Sequence, residues 1–165
     1  MGQSSSPRFL ADTMLGSLAR KLRLLGIDTL YISDADDSEL KYLVRSQSRI
    51  LLTRDVNLSR NLGDLAWQVS GKDAREEFFS IAERLGPLSD QVEPFSRCLH
   101  CNDLLLSLES SEAYGKVPPY IYHSKKTFSR CPSCGKVFWE GTHSKRMGEE
   151  VEWMKDILQG GGRLD

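Results

Sequence analysis

At 165 residues, 39% hydrophobic and 27% charged, the chain has the composition of a globular protein and the length for one domain with a small appendage. No apolar run reaches the roughly 18 residues of a membrane span, and a net charge of −1 excludes polyanion binding driven by bulk charge alone. The charge is uneven, however. Residues 1–94 carry 12 basic and 14 acidic groups, 95–147 carry 8 and 4, and 148–165 carry 2 and 5, so a basic block lies between two acidic ones.

In chain order, "MGQSSSPRF" lacks the charged start and long apolar centre of a secretory signal and predicts a loose leader and a cytoplasmic location. "RFLAD" (Arg8–Asp12) predicts a first strand. Leu15, Leu18, Ala19, Leu22 and Leu25 then recur at helical spacing until Gly26. "DTLYI" (Asp28–Ile32) predicts a second strand, Ser38–Gln47 a second helix, "RILLT" (Arg49–Thr53) a third strand and "LAWQV" (Leu65–Val69) a fourth. Ala74–Leu85 reads as a helix ended by Gly86-Pro87. This alternation predicts an α/β fold with a mostly parallel sheet covered by helices.

Open parallel sheets carry their sites beyond the carboxyl ends of the strands. Asp12 ends the first strand; Asp34, Asp36 and Asp37 follow the second; Asp55 follows the third. If the strands are parallel, these carboxylates share one edge, where their mutual repulsion is relieved by a divalent cation. An oxygen-only donor set suits Mg²⁺ or Mn²⁺. A competing role exists for each: Asp55 caps the next short helix, and one of Asp36 and Asp37 caps the second.

Cys98 and Cys101 form "CLHC" and Cys131 and Cys134 form "CPSC", with 29 residues between the pairs. All four cysteines of the chain are used, which predicts a closed tetrathiolate Zn²⁺ site that folds a small ribbon and takes no part in chemistry. His100 and His143 are not needed as ligands. Around the knuckles lie Lys125, Lys126 and Arg130 among tyrosines, Phe128, Phe138 and Trp139. Cations with exposed rings suit single-stranded nucleic acid; the competing role for the rings is the ribbon's own core. Arg20 and Arg23, with Lys21, are basic positions on the first helix, just after Asp12. They serve either the nucleic acid or merely the helix's wet face.

Taken in order, "FLADTMLGSLARKLRLLGIDTLYI", "DADDSEL", "RILLTRDVNL", "RCLHCN", "VPPY" and "CPSCGKVFWEGTH" closely resemble the Mut-seven C-terminal ribonuclease family, from Phe9 to Met147. The resemblance implies a PIN-like nuclease domain (8–93), a zinc ribbon (94–147) and a C-terminal helix with a flexible tail (148–165). It implies a metal-dependent ribonuclease with Asp12, Asp37 and Asp55, together with Asp36, at a Mg²⁺ or Mn²⁺ site. Its RNA partner would be single-stranded or structured with unpaired regions, met by Arg20, Arg23, Arg54, Lys125, Lys126, Arg130 and His143. PIN-like domains often pair, so a homodimer is an expectation, although "EEVEWMKDIL" also suits a helix packed on its own domain; no membrane partner is expected. The chain departs from larger PIN domains in lacking a further glutamate on an intervening helix and in carrying Asn57 where a second late acid often stands. The rival class is a non-catalytic RNA- or ribosome-binding module, whose mark would be a lost carboxylate; Asp12, Asp37 and Asp55 are all present.

Overall fold

The computed structural model describes residues 6–139 and 145–164. Strands β1 (Arg8–Ala11), β2 (Thr29–Tyr31), β3 (Arg49–Thr53) and β4 (Ala66–Gln68) form a parallel sheet in the order β2-β1-β3-β4. They alternate with α1 (Gly16–Leu24), α2 (Asp37–Ser46), α3 (Val56–Leu62) and α4 (Ala74–Leu85). Side-chain alternation along β1 sorts two cores. Phe9 and Ala11 pack with Leu52, Val69 and the apolar faces of α1 and α4, while Leu10 packs with Leu51, Leu40, Val44, Leu58 and Leu62 under α2 and α3. Both faces of the central strands are therefore covered, and for that reason their sequences read as unbroken apolar runs.

The strand order turns around between β1 and β3. From β1 the chain moves outward to β2, then returns past β1 to β3 and continues to β4. Carboxyl ends of β1 and β3 thus flank the crevice in which open α/β sheets hold their ligands. At the other end of α1, Gly26 has φ +83°, and a Cβ there would lie 2.3 Å from the Glu93 carbonyl oxygen. Only glycine closes α1 this tightly under the chain that leads into the ribbon.

The ribbon is a three-stranded antiparallel sheet, β5 (Leu106–Leu108), β6 (Phe128–Arg130) and β7 (Val137–Trp139), in the order β5-β6-β7. Two short helices, α5 (Ser110–Ala113) and α6 (Pro119–Ser124), connect β5 to β6 and were not anticipated. They fold over a core of Leu108, Ala113, Val117, Ile121 and Phe128. Helices of this length have little stability in isolation, so this packing holds them.

The last helix, α7 (Lys145–Leu158), begins earlier than the sequence predicts and returns to the first module. Val151, Met154, Ile157 and Leu158 join the α1/α4 core, Trp153 lies 5.7 Å from Phe78, and the Arg75 guanidinium stacks 4.5 Å above the Trp153 ring. The acidic amphipathic segment therefore covers its own domain. After the helix, Gly160 and Gly161 donate to the Ile157 and Asp156 carbonyls, and Trp153 Nε1 donates to the Arg163 carbonyl at 3.0 Å.

Candidate functional site

At the crevice, Asp12 continues the β1 register by donating its backbone N–H to the Leu52 carbonyl at 3.0 Å. Its carboxylate is half-buried. Oδ1 accepts the Thr13 N–H at 2.6 Å and Oδ2 accepts the Thr53 hydroxyl at 2.7 Å. Thr53 is fully buried, and its Oγ1 in turn accepts the Asp55 N–H at 3.0 Å. One hydroxyl therefore couples the ends of β1 and β3 and fixes Asp12 relative to Asp55. Asp55 is also a helix cap, its Oδ1 accepting the Leu58 N–H at 2.9 Å. Both roles weighed for this residue are compatible, because a carboxylate that caps through one oxygen retains its charge and its second oxygen.

The alternatives after β2 separate. Asp36 caps α2 by accepting the Glu39 N–H at 2.8 Å, whereas Asp37 opens the helix and is exposed; Asp34 accepts the Ser33 hydroxyl in the preceding turn. Because β2 lies beside β1, Asp36 and Asp37 stand on the Asp12 side of the crevice. Among the described residues, no three carboxylates bring their oxygens within 4.8 Å of one another. The edge is acidic and Asp12 and Asp55 are coupled, but its carboxylates do not form a closed cage.

Arg54, between Thr53 and Asp55, turns away from the acids toward α4 and sits 3.7 Å from Glu77. Glu77 is 5% exposed, and burial pushes its carboxyl above the ordinary value, partly offset by Arg54. This residue has no counterpart among the sequence-predicted sites. A signal was available: Glu77 stands three residues after Ala74 and four before Ile81, on the apolar stripe of α4 rather than its wet face.

The cysteines converge fully. Their four sulfurs lie within 4.8 Å of one another, positioned to bind a metal ion. Each knuckle is the same local turn. Asn102 N donates to the Cys98 carbonyl and Gly135 N to that of Cys131; Cys98 N donates to Asp103 and Cys131 N to Lys136. Asn102 (φ +68°) and Gly135 (φ +71°), each following the second cysteine, take the left-handed conformation that asparagine and glycine tolerate best. Desolvation and the neighbouring sulfurs push the Cys101 thiol up to about 12, whereas the Lys136 N–H is the main influence holding Cys134 below its ordinary value. Four thiolates at this density are stable only around a cation.

The cations predicted to meet RNA divide. Arg20 on α1 is exposed, as are Lys126 and Arg130 on the ribbon, and Lys125 is half-buried; His143 lies outside the described residues. Arg23 requires correction. It is 6% exposed, its Nε donates to the Thr29 carbonyl at 2.8 Å, and its Nη1 donates to Leu99 and His100 at 2.9 and 3.1 Å. Burial pulls the guanidinium below its ordinary pKa. Arg23 docks the first knuckle onto the parallel-sheet module, its guanidinium occupied by backbone carbonyls. Asn102 reinforces the joint by accepting the Thr29 N–H and donating to Asp28, whose carboxylate also receives Arg49 at 2.7 Å. Of the ribbon's rings, Phe128 is core, while Tyr114 and Tyr120 are 75% and 71% exposed.

A family model described as the Mut7-C RNAse domain matches residues 7–151. No curated protein and no solved structure matches the chain.

Proposed function

The chain belongs to the Mut7-C RNase domain family, and from that premise we propose that it is a divalent-metal-dependent ribonuclease acting at the carboxyl edge of its parallel sheet. The observation carrying this reading is the Thr53 hydroxyl that joins Asp12 to the Asp55 backbone at the point where the strand order turns around. The donors fit the group. Asp12 and Asp55 offer hard, anionic oxygens at the ends of adjacent strands, as Mg²⁺ or Mn²⁺ requires, and exposed Asp37 would add a third from the β2 side of the crevice. Asp36, already capping α2, supports Asp37 rather than leading the set. With Asn57 in place of another acid, the donor set suits one firmly held cation.

When bound, such a cation supplies positive charge for the phosphate oxygens and acidifies a neighbouring water. The chain's own residues do the remainder. Asp12 and Asp55 hold fixed positions through Thr13, Thr53 and Leu58 N–H or hydroxyl donors, so little reorganisation accompanies substrate binding. In hydrolysis a water oxygen bonds to phosphorus, the P–O bond to the leaving nucleotide breaks, and the leaving oxygen takes up a proton. Arg54, exposed and paired with Glu77 on the α4 side, is the cation proposed for the departing oxygen, which it would reach by swinging from Glu77 toward the acidic edge. The ribbon is the RNA-presenting element, its fold maintained by structural zinc and its outer surface offering Tyr114, Tyr120, Lys126 and Arg130 to unpaired bases and phosphates.

The test is cleavage of end-labelled single-stranded RNA by the purified chain with Mn²⁺, Mg²⁺ or EDTA. Metal-dependent products are expected. Tight RNA binding with no product under any metal would instead make the chain a non-catalytic binding module.

A further inference from the structure

A groove of about 370 Å³ lies between α1, the start of α4, the start of α7 and the first cysteine knuckle. Its volume is in the roughly 300–1,000 Å³ range of clefts that take a small organic group. The floor is apolar, made by Leu24, Leu99 and Met147, while Arg20 and Arg146 stand exposed at the rim. An apolar slot edged by two guanidinium groups is complementary to a nucleotide, with its base inside and its phosphates outside.

The one acid in the groove does not oppose this. Glu150 is an ion-pair partner of both Lys21 and Arg75, the latter at 2.8 Å. Burial alone would raise its carboxyl, but Arg75 and Lys21 hold it below the ordinary value, so it stays ionised and neutralised by two cations. The lining groups Arg20, Lys21 and Arg146 against Glu150 leave the groove positive.

Position gives it a purpose. Ser17 and Ala74, at the amino ends of α1 and α4, place one end of the groove at the carboxyl edge that carries Asp12; Leu24 and Leu99 place the other at the knuckle docked by Arg23. We propose that this groove is a nucleotide-binding subsite that conducts single-stranded RNA from the first knuckle along α1 to the acidic edge, with a base seated on Leu24, Leu99 and Met147 and flanking phosphates held by Arg20 and Arg146. The inference rests on the ribonuclease reading and extends it by naming the path of the strand.

The test measures binding of fluorescein-labelled oligouridylate to the full chain across a salt series, for the wild type, Arg20→Ala/Arg146→Ala and Arg20→Lys/Arg146→Lys. Both positions are exposed, so folding is expected to be unaffected. Losing two phosphate contacts should weaken binding about tenfold or more and lower the slope of log affinity against log salt by about 1.4, from the roughly 0.7 per phosphate typical of single strands. The lysine pair should restore the slope. In parallel, photo-crosslinking of RNA containing one 4-thiouridine should map to peptides holding Leu99 or Met147. An unchanged affinity and slope in the alanine pair, or crosslinks confined to the ribbon face around Tyr114 and Tyr120, would overturn the subsite. Wild-type cleavage distinguishes the two readings: cleavage with an unaltered alanine pair removes the groove and leaves the nuclease, whereas a weakened alanine pair with no cleavage by the wild type removes the nuclease and leaves the groove.

Discussion

The cysteine cluster and the acidic edge of this molecule are assembled in opposite ways. The four cysteines come from two copies of one short turn, each closed by its own backbone hydrogen bonds and a left-handed residue, and their sulfurs converge within 4.8 Å. The carboxylates come from the ends of parallel strands, and their spacing is set by sheet register. Asp12 and Asp55 are related through the Thr53 hydroxyl, not through direct convergence. A centre built from local turns gathers charge that requires a cation to stay folded. A centre built from strand ends keeps its carboxylates apart on a scaffold that is stable by itself, leaving the edge open.

That contrast can be broken from either side. The largest effect should follow Cys131→Ser or removal of zinc by a chelator: the ribbon should lose its antiparallel structure while the parallel sheet persists, as read by hydrogen exchange, and metal analysis of the intact chain should give about one zinc per chain. Iron in place of zinc would contradict the structural assignment. Next, Arg23→Met should cost about 3 kcal/mol in denaturant unfolding, because one buried and two partly buried carbonyls lose their donor. It should also free the first knuckle from the sheet; an unchanged midpoint would show that Asn102 and Arg97 hold the joint without it.

A smaller effect attaches to Glu150, which joins α7 to α1 and α4. Glu150→Gln should lower stability at neutral pH by about 1 to 2 kcal/mol. The carboxyl is held below its ordinary value in the folded chain, so its contribution is complete above the unfolded value of about 4.3 and fades as pH falls through the folded one. The gap in melting temperature between wild type and variant should therefore close in acid and stay constant above it. The smallest expected change concerns the cap. Asp55→Ala should cost about 1 kcal/mol, and Asp55→Asn much less, since asparagine accepts the Leu58 N–H equally well.

Much of the first module was legible because apolar runs, helical spacing and Gly or Pro stops all agreed there, and the strand-end acids were visible once parallel order was inferred. The knuckles were legible for the same local reason that makes them converge. Less visible was whatever depended on packing between distant segments. Arg23 sits among Arg20 and Lys21 and reads as solvated, yet it is four residues from Ala19 at the border of the buried stripe, where the knuckle covers it. The helices α5 and α6 carry too little periodicity to announce themselves and form on the Phe128 core. The tail turns back because Gly162 can approach Ile157, where a Cβ would lie 2.4 Å from its side chain; composition alone suggests only flexibility.

The most direct measurement of the central claim compares wild type with Asp55→Asn, prepared identically, in single-turnover cleavage of one RNA with Mn²⁺, with binding of that RNA measured alongside. The substitution keeps the cap and removes the charge. Cleavage should fall at least about a hundredfold, the scale on which loss of a preorganised electrostatic group is felt, while affinity stays within about twofold. Equal cleavage by the variant would show that the acidic edge is not the catalytic centre and that Asp55 is a helix cap alone.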